Sequence, residues 1–101
     1  MAKTRRDDLR DAKLARTGTH VRFDAPATLH KWPSIKNQRR KDAGPYLLVE
    51  GTLDECIRAF MAKPESARHL YEIHTAPQPP VVTEILSAEH VIELARLRDF
   101  L

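Results

Sequence analysis

The sequence predicts an α+β fold, and the order of its strand-like and helical segments supports this class. A short β-prone apolar run, "YLLVE" at 46–50, is followed by helical periodicity over 53–63. Two further strand-like runs, at 68–75 and 81–86, precede a second helical segment at 88–101. The order β-α-β-β-α predicts a small three-stranded mixed sheet that two helices cover on one face.

Charge divides the 101-residue chain into two parts. Residues 1–43 contain 12 Lys and Arg and 5 Asp, which is a net charge of +7. Residues 44–101 contain 5 Lys and Arg and 9 Asp and Glu, which is a net charge of −4. The length suits one domain. We therefore expect a basic, largely disordered or extended N-terminal arm over 1–43 and a compact β-α-β-β-α domain over 44–101.

Much of the arm lacks a regular pattern. Residues 1–18 contain few large apolar side chains, so a solvated tail or a marginal helix is expected there. Val21 and Phe23 alternate with polar residues, as in a short strand. The prolines that follow favour an irregular segment, because proline lacks an N–H donor and restricts the residue before it. Three apolar residues are expected to anchor this segment on the domain: Leu29, Trp32 and Ile35.

The helix predicted after "YLLVE" has a defined start and end. Thr52 is a suitable N-cap, and Glu55 three residues later completes a capping box. Pro64 ends the helix near Ala62 and opens a further single turn. Five apolar residues recur at helical spacing and predict one buried face: Leu53, Cys56, Ile57, Phe60 and Met61.

The C-terminal part predicts a hairpin followed by a helix. Tyr71 and Ile73 alternate with polar residues, so we expect their side chains to point to the core. The proline-rich loop at 76–80 then allows the next strand, 81–86, to pair in antiparallel fashion. Ser87 is expected to cap the last helix.

Composition limits the cellular context. The single cysteine, Cys56, excludes a disulfide within the chain and is typical of a reducing cytosol. The first residues lack the apolar core of a secretory signal and are too rich in aspartate for a transit peptide. The chain has no apolar run of about 18 residues, the length that a membrane span requires. We expect a cytoplasmic protein with no membrane partner.

Catalytic motifs are missing from the sequence. The histidines are scattered, without the spacing of a zinc site, and no phosphate-loop or dinucleotide fingerprint is present, so no metal or cofactor is predicted. Cys56 lies on the apolar helix face and is interpreted as an inert core residue. Glu84 and His74 are expected to form at most a surface contact across the hairpin. A small enzyme without a recognisable motif is the third functional hypothesis.

The basic arm suggests a binding function. A cluster of cations with one tryptophan can neutralise phosphates and stack on bases, so nucleic-acid binding is one hypothesis. The same residues can contact an acidic protein, or clasp the acidic domain of a second copy. We place protein binding or homo-oligomerisation first and nucleic-acid binding second. The candidate contact residues are Lys31, Trp32, Lys36, Arg39, Arg40 and Lys41.

Overall fold

The computed structural model describes residues 21–100, so the tail or marginal helix expected over 1–18 lies outside the described residues. The strands are β1 (Pro26–Lys31), β2 (Ser34–Ile35), β3 (Gln38–Arg39), β4 (Tyr46–Thr52), β5 (Tyr71–Thr75) and β6 (Ile85–Leu86). The helices are α1 (Leu53–Met61) and α2 (Ala88–Phe100), with a 3₁₀ helix at Glu65–Leu70. Strands β4, β1, β5 and β6 form one sheet in that order, and β2 pairs with β3.

The α+β class is confirmed, but the predicted three-stranded mixed sheet is wrong. The main sheet has four strands, and every pairing in it is antiparallel. The additional strand is β1, which lies within the segment expected to be a disordered or extended arm and pairs with both β4 and β5. Pro26 is the first residue of β1 and Pro33 follows its end, so the prolines border this strand and do not interrupt it.

The position of β1 also explains why the sheet is not mixed. Strands β4 and β5 are both antiparallel to β1, so they run in the same direction on its two sides. The α1 connection therefore joins two strands of like direction, but β1 lies between them and no parallel pair forms.

The predicted starts of both helices and the end of the first are confirmed. The Thr52 side chain accepts a hydrogen bond from the Glu55 N–H, and the Glu55 carboxylate accepts one from the Thr52 N–H, which completes the capping box. Pro64 precedes the 3₁₀ helix. Ser87 Oγ accepts a hydrogen bond from the His90 N–H at 3.4 Å and so caps α2.

The core lies between the helices and one face of the sheet. Four residues of the predicted α1 face are fully buried, whereas Met61 is partly buried. Burial of this apolar surface is the main favourable term in forming such a domain. The other core residues are Ala27 and Leu29 of β1, Tyr71 and Ile73 of β5, Leu70, Val82, Leu86, and Val91, Leu94 and Ala95 of α2.

Three predicted strands are shorter than expected or missing. The run at 68–75 forms a strand only over Tyr71–Thr75, because Glu65–Leu70 form the 3₁₀ helix. In the 81–86 run, only Ile85 and Leu86 pair with β5. Val82 instead forms an isolated antiparallel bridge with Gln78, in which each N–H donates to the other residue's carbonyl. Val21 and Phe23 precede β1 without joining the sheet. Both nevertheless pack against the core. Their apolar alternation therefore reflected burial and not strand pairing.

Strands β2 and β3 form a tight hairpin between β1 and β4. Ile35 pairs with Gln38, so the loop has two residues, Lys36 and Asn37, with φ values of 53° and 62°. Positive φ at both loop positions is characteristic of the type I′ turn, which matches the twist of a two-residue hairpin. We call residues 34–41 the basic hairpin, because they contain four cations and no carboxylate: Lys36, Arg39, Arg40 and Lys41.

Candidate functional site

The sheet face opposite the helices carries a cluster of polar side chains. Thr28 and His30 alternate with the buried residues of β1, and Glu72 and His74 do the same on β5. The register places Thr28 opposite His74 and His30 opposite Glu72. Cross-strand neighbours of this kind have side chains within contact distance. The central two strands thus bring together four polar residues that are far apart in the sequence.

Glu72 is the buried centre of this cluster. Its carboxylate accepts a hydrogen bond from Trp32 Nε1 at 2.8 Å through one oxygen and from His74 Nε2 at 2.5 Å through the other. Burial alone would raise the pKa of Glu72, but the two hydrogen bonds and the nearby charges of His74 and Arg39 outweigh it and lower the pKa. Glu72 is therefore ionised and each of its carboxylate oxygens has a hydrogen-bond partner, which suits a structural anchor and not a proton donor.

The two histidines of the cluster stack on each other. The ring centroids of His30 and His74 are 4.0 Å apart, and the rings are inclined by 21°. His30 Nε2 lies 2.9 Å from the Thr28 hydroxyl oxygen. Burial, together with the neighbouring His74, lowers the pKa of His30, although Glu72 acts in the opposite direction. The expectation that the histidines are scattered is wrong for this pair, because strand pairing joins positions 44 residues apart (30 and 74).

This arrangement does not form a catalytic relay. Thr28 contacts His30, but the carboxylate of Glu72 binds His74 and Trp32. The hydroxyl of Thr28, the ring of His30 and the carboxylate of Glu72 therefore do not form the hydrogen-bonded series of nucleophile, base and orienting group that catalysis uses. Within residues 21–100, no group of three His, Cys, Asp or Glu side chains has a metal-binding arrangement. His74 pairs with Glu72 on its own strand and not with Glu84, the contact considered from the sequence.

Cys56 is fully buried on the core face of α1. Burial, and secondarily the charge of Glu55, raises the pKa of its thiol to about 11. A thiol with this pKa is protonated at neutral pH and is a poor nucleophile. The inert core position of Cys56 agrees with its apolar surroundings in the sequence.

Trp32 and Arg39 connect the basic hairpin to the polar cluster. The guanidinium carbon of Arg39 lies 5.0 Å from the Trp32 ring centroid, a distance typical of a cation–π contact. Arg39 Nε also donates to the His69 carbonyl at 2.9 Å. Trp32 is therefore packed between Arg39 and the Glu72 carboxylate. The sequence predicts both residues as binding contacts. In the structure, the Trp32 ring and N–H and the Arg39 guanidinium also make contacts that hold the hairpin on the domain.

The turn of the basic hairpin is fastened to the 3₁₀ helix. The Asn37 side chain donates to the Ser66 carbonyl at 2.8 Å, and His69 Nε2 lies 2.7 Å from the Asn37 carbonyl oxygen. Together with the Arg39 contact, these bonds hold the hairpin at its tip as well as at its base. The hairpin is thus a supported element and not a loose loop.

The remaining candidate contact residues are placed differently. Lys36, Arg40 and Lys41 are exposed, and Arg40 pairs with Asp42 just beyond the hairpin. Lys31 lies on the helix-covered side, where its ammonium is 5.8 Å from the Tyr71 ring centroid. The structure therefore brings Lys36, Arg39, Arg40 and Lys41 together on the hairpin and separates Lys31 from them.

Strand β4 presents an apolar edge that the sequence did not reveal. The run "YLLVE" predicts a buried strand, but Tyr46, Leu47 and Leu48 are 46%, 53% and 41% exposed. β4 is the outermost strand on its side, and no element within residues 21–100 pairs with its outer edge. The prediction of burial fails because an apolar run can also form an outermost strand, whose side chains are left partly uncovered. Leu48 is the extra residue of a bulge opposite Leu29 and His30.

Within residues 21–100, no helix is both long enough and apolar enough to cross a membrane. Comparison of the chain with protein family models, curated proteins and solved structures finds no match.

Proposed function

We propose that this protein is a self-associating interaction module whose β4 edge pairs with β4 of a second copy. The observation that carries the proposal is the exposure of three consecutive large apolar residues on the outermost strand, Tyr46 to Leu48. Pairing would join two four-stranded sheets into one continuous sheet of eight (4 + 4). The association would be isologous, which is the most common symmetry of soluble homo-oligomers.

The chemistry of an open edge supports pairing. An outermost strand exposes backbone N–H and C=O groups that can pair with another strand, and proteins normally protect such edges with short strands, charged residues or proline. β4 has seven residues, and its first four are Tyr46, Leu47, Leu48 and Val49. The opposite edge strand, β6, has only two residues. The longer and more apolar edge is therefore the better surface for strand addition.

Charge distribution supports a second copy as the partner and favours antiparallel pairing. The basic hairpin precedes β4, whereas Glu50 lies near the end of β4 and Asp54 and Glu55 begin α1. Antiparallel pairing places the basic hairpin that precedes β4 in one copy beside the acidic residues at the end of β4 in the other copy. A pairing centred on Leu47 to Val49 also keeps the two Glu50 carboxylates apart. Parallel pairing would instead align like charges, which is destabilising.

Sedimentation equilibrium of the full chain tests this proposal. Wild-type protein is expected to form a dimer whose dissociation constant can be measured over a concentration series. Leu47→Lys places a charge on the exposed edge, where natural edges often carry lysine, and is expected to shift the protein to monomer. Because Leu47 is exposed in one copy, the variant should keep the wild-type circular dichroism spectrum. Its unfolding midpoint should equal that of the wild type at concentrations where the wild type is monomeric, and should not rise with protein concentration as that of a dimer does.

Ile85→Lys is the matched control, since Ile85 is 55% exposed but lies on the opposite edge strand β6. This variant should dimerise as the wild type does. A monomeric wild-type protein, or a dimer that Leu47→Lys leaves intact, contradicts the proposal. A dimer that only Ile85→Lys disrupts would move the interface to β6.

A further inference from the structure

The basic hairpin is a concentrated positive surface at a site distinct from the apolar edge. Its eight residues, 34–41, carry four cations and no carboxylate. Asp42 follows directly and pairs with Arg40, which leaves Lys36, Arg39 and Lys41 without a carboxylate in salt-bridge contact among residues 21–100. The acidic residues of the chain are mostly in the part after residue 44. This separation of charge within a small domain is the type of surface that attracts a polyanion.

The hairpin presents these cations on a rigid support. Its two-residue turn at Lys36 and Asn37 is closed by cross-strand pairing of Ile35 with Gln38. Asn37 and Arg39 bond to the 3₁₀ helix and its end, so the ribbon is held in one orientation. A shallow surface groove runs along it, lined by residues 35, 36 and 38–42, which include the four cations and Asp42. Fixed cations lose less conformational entropy on binding than cations on a mobile tail.

The surroundings of Trp32 distinguish between two forms of nucleic acid. Single-strand binding generally requires an aromatic ring on which a base can stack. In this structure Arg39 covers the Trp32 ring, and the indole N–H is bonded to Glu72. A two-stranded β-ribbon, by contrast, fits the major groove of B-form DNA, which is about 12 Å wide. The hairpin therefore suits phosphate contacts along a duplex better than stacking on unpaired bases.

We propose that the basic hairpin binds duplex DNA through its phosphate backbone, with Lys36 and Lys41 as exposed phosphate contacts. Arg39 supports the ribbon through Trp32 and His69 and adds its charge to the same surface. The contacts are with phosphates, so binding is largely independent of base sequence and decreases steeply with salt. This binding does not require the β4 pairing proposed above.

Fluorescence anisotropy with a labelled random-sequence DNA duplex tests the inference, using the full chain over a salt series from about 50 to 200 mM. The double variant Lys36→Gln, Lys41→Gln should bind more weakly than wild type at low salt. The slope of log affinity against log salt should become shallower by about one unit for each lysine removed. A single strand of the same length should bind more weakly than the duplex.

The control is Arg58→Gln, Arg96→Gln, which removes the same charge from exposed positions on α1 and α2. It should keep the wild-type salt slope. Absence of duplex binding by wild-type protein, or equal slopes for the hairpin variant and wild type, would overturn the proposal. Tighter binding of the single strand than of the duplex would also overturn it. Equal losses in the hairpin and control variants would show that net charge alone drives binding, and would reject the hairpin as the site.

Discussion

Glu72 shows how one side chain can organise a surface that looks unremarkable in the sequence. It alternates with Tyr71 and Ile73, a pattern that predicts a solvent-facing residue, yet it is almost fully buried on the face away from the helices. The cause is a set of tertiary contacts: Trp32 donates to one carboxylate oxygen of Glu72, His74 donates to the other, and Arg39 stacks on Trp32. A buried carboxylate is tolerated when it is paired in this way.

The polar cluster should make stability depend on pH in two separate ranges. The folded state lowers the pKa of His30 below its ordinary value of 6.5, so the unfolded chain binds the proton first and stability falls as the pH drops below 6.5. Glu72 also has a lowered pKa in the folded state, so its contribution is present above its ordinary value of 4.5 and is lost below it. Urea unfolding between pH 8 and 3 is the measurement.

The variant His30→Asn separates these two ranges. It should reduce the loss of stability that begins below pH 6.5, because the group with the lowered pKa is gone. The decrease below 4.5 should remain, since Glu72 keeps its partners Trp32 and His74. Stability of the wild-type protein that rises as the pH falls through 6.5 would contradict this account of His30.

At the scale of elements, β1 is the feature that most changes the fold from its prediction. Strand β4, β5, both helices and their caps could be predicted from local signals: an apolar run, period-two alternation, and the capping box at Thr52 and Glu55. β1 could not, because its only inward apolar residues are Ala27 and Leu29 and its border prolines suggested irregular structure. Its stability as a strand comes from pairing on both sides, which local sequence does not encode.

The central position of β1 predicts that Leu29 is essential to the domain. Leu29 is fully buried in the hydrophobic core, so Leu29→Ala should lower the free energy of unfolding by about 2 to 5 kcal/mol. Ile35 lies in the same sequence segment but is 59% exposed, so Ile35→Ala should change the free energy of unfolding by less than about 0.5 kcal/mol. Urea denaturation measures both. Equal effects of the two substitutions would contradict the assignment of β1 to the core.

Across the whole molecule, the basic and acidic parts of the sequence do not correspond to an arm and a separate domain in the described residues, because the basic part also supplies strands. Part of the basic segment supplies the central strand and a supported hairpin, while residues 1–20 lie outside the described part of the chain. Four of the candidate contact residues lie together on the basic hairpin because they are close in sequence: Lys36, Arg39, Arg40 and Lys41. The polar cluster and the open β4 edge were missed, since both depend on which strands become neighbours.

Amide hydrogen exchange as a function of protein concentration shows whether β4 pairs with β4 of a second copy. NMR-detected exchange should show that the β4 amides not bonded to β1 become slower as the dimer population increases, because they acquire carbonyl partners. Amides of the opposite edge strand β6 should keep the same rates. If the protein dimerises while the outer β4 amides exchange at a concentration-independent rate, the interface lies elsewhere and the account of this edge is wrong.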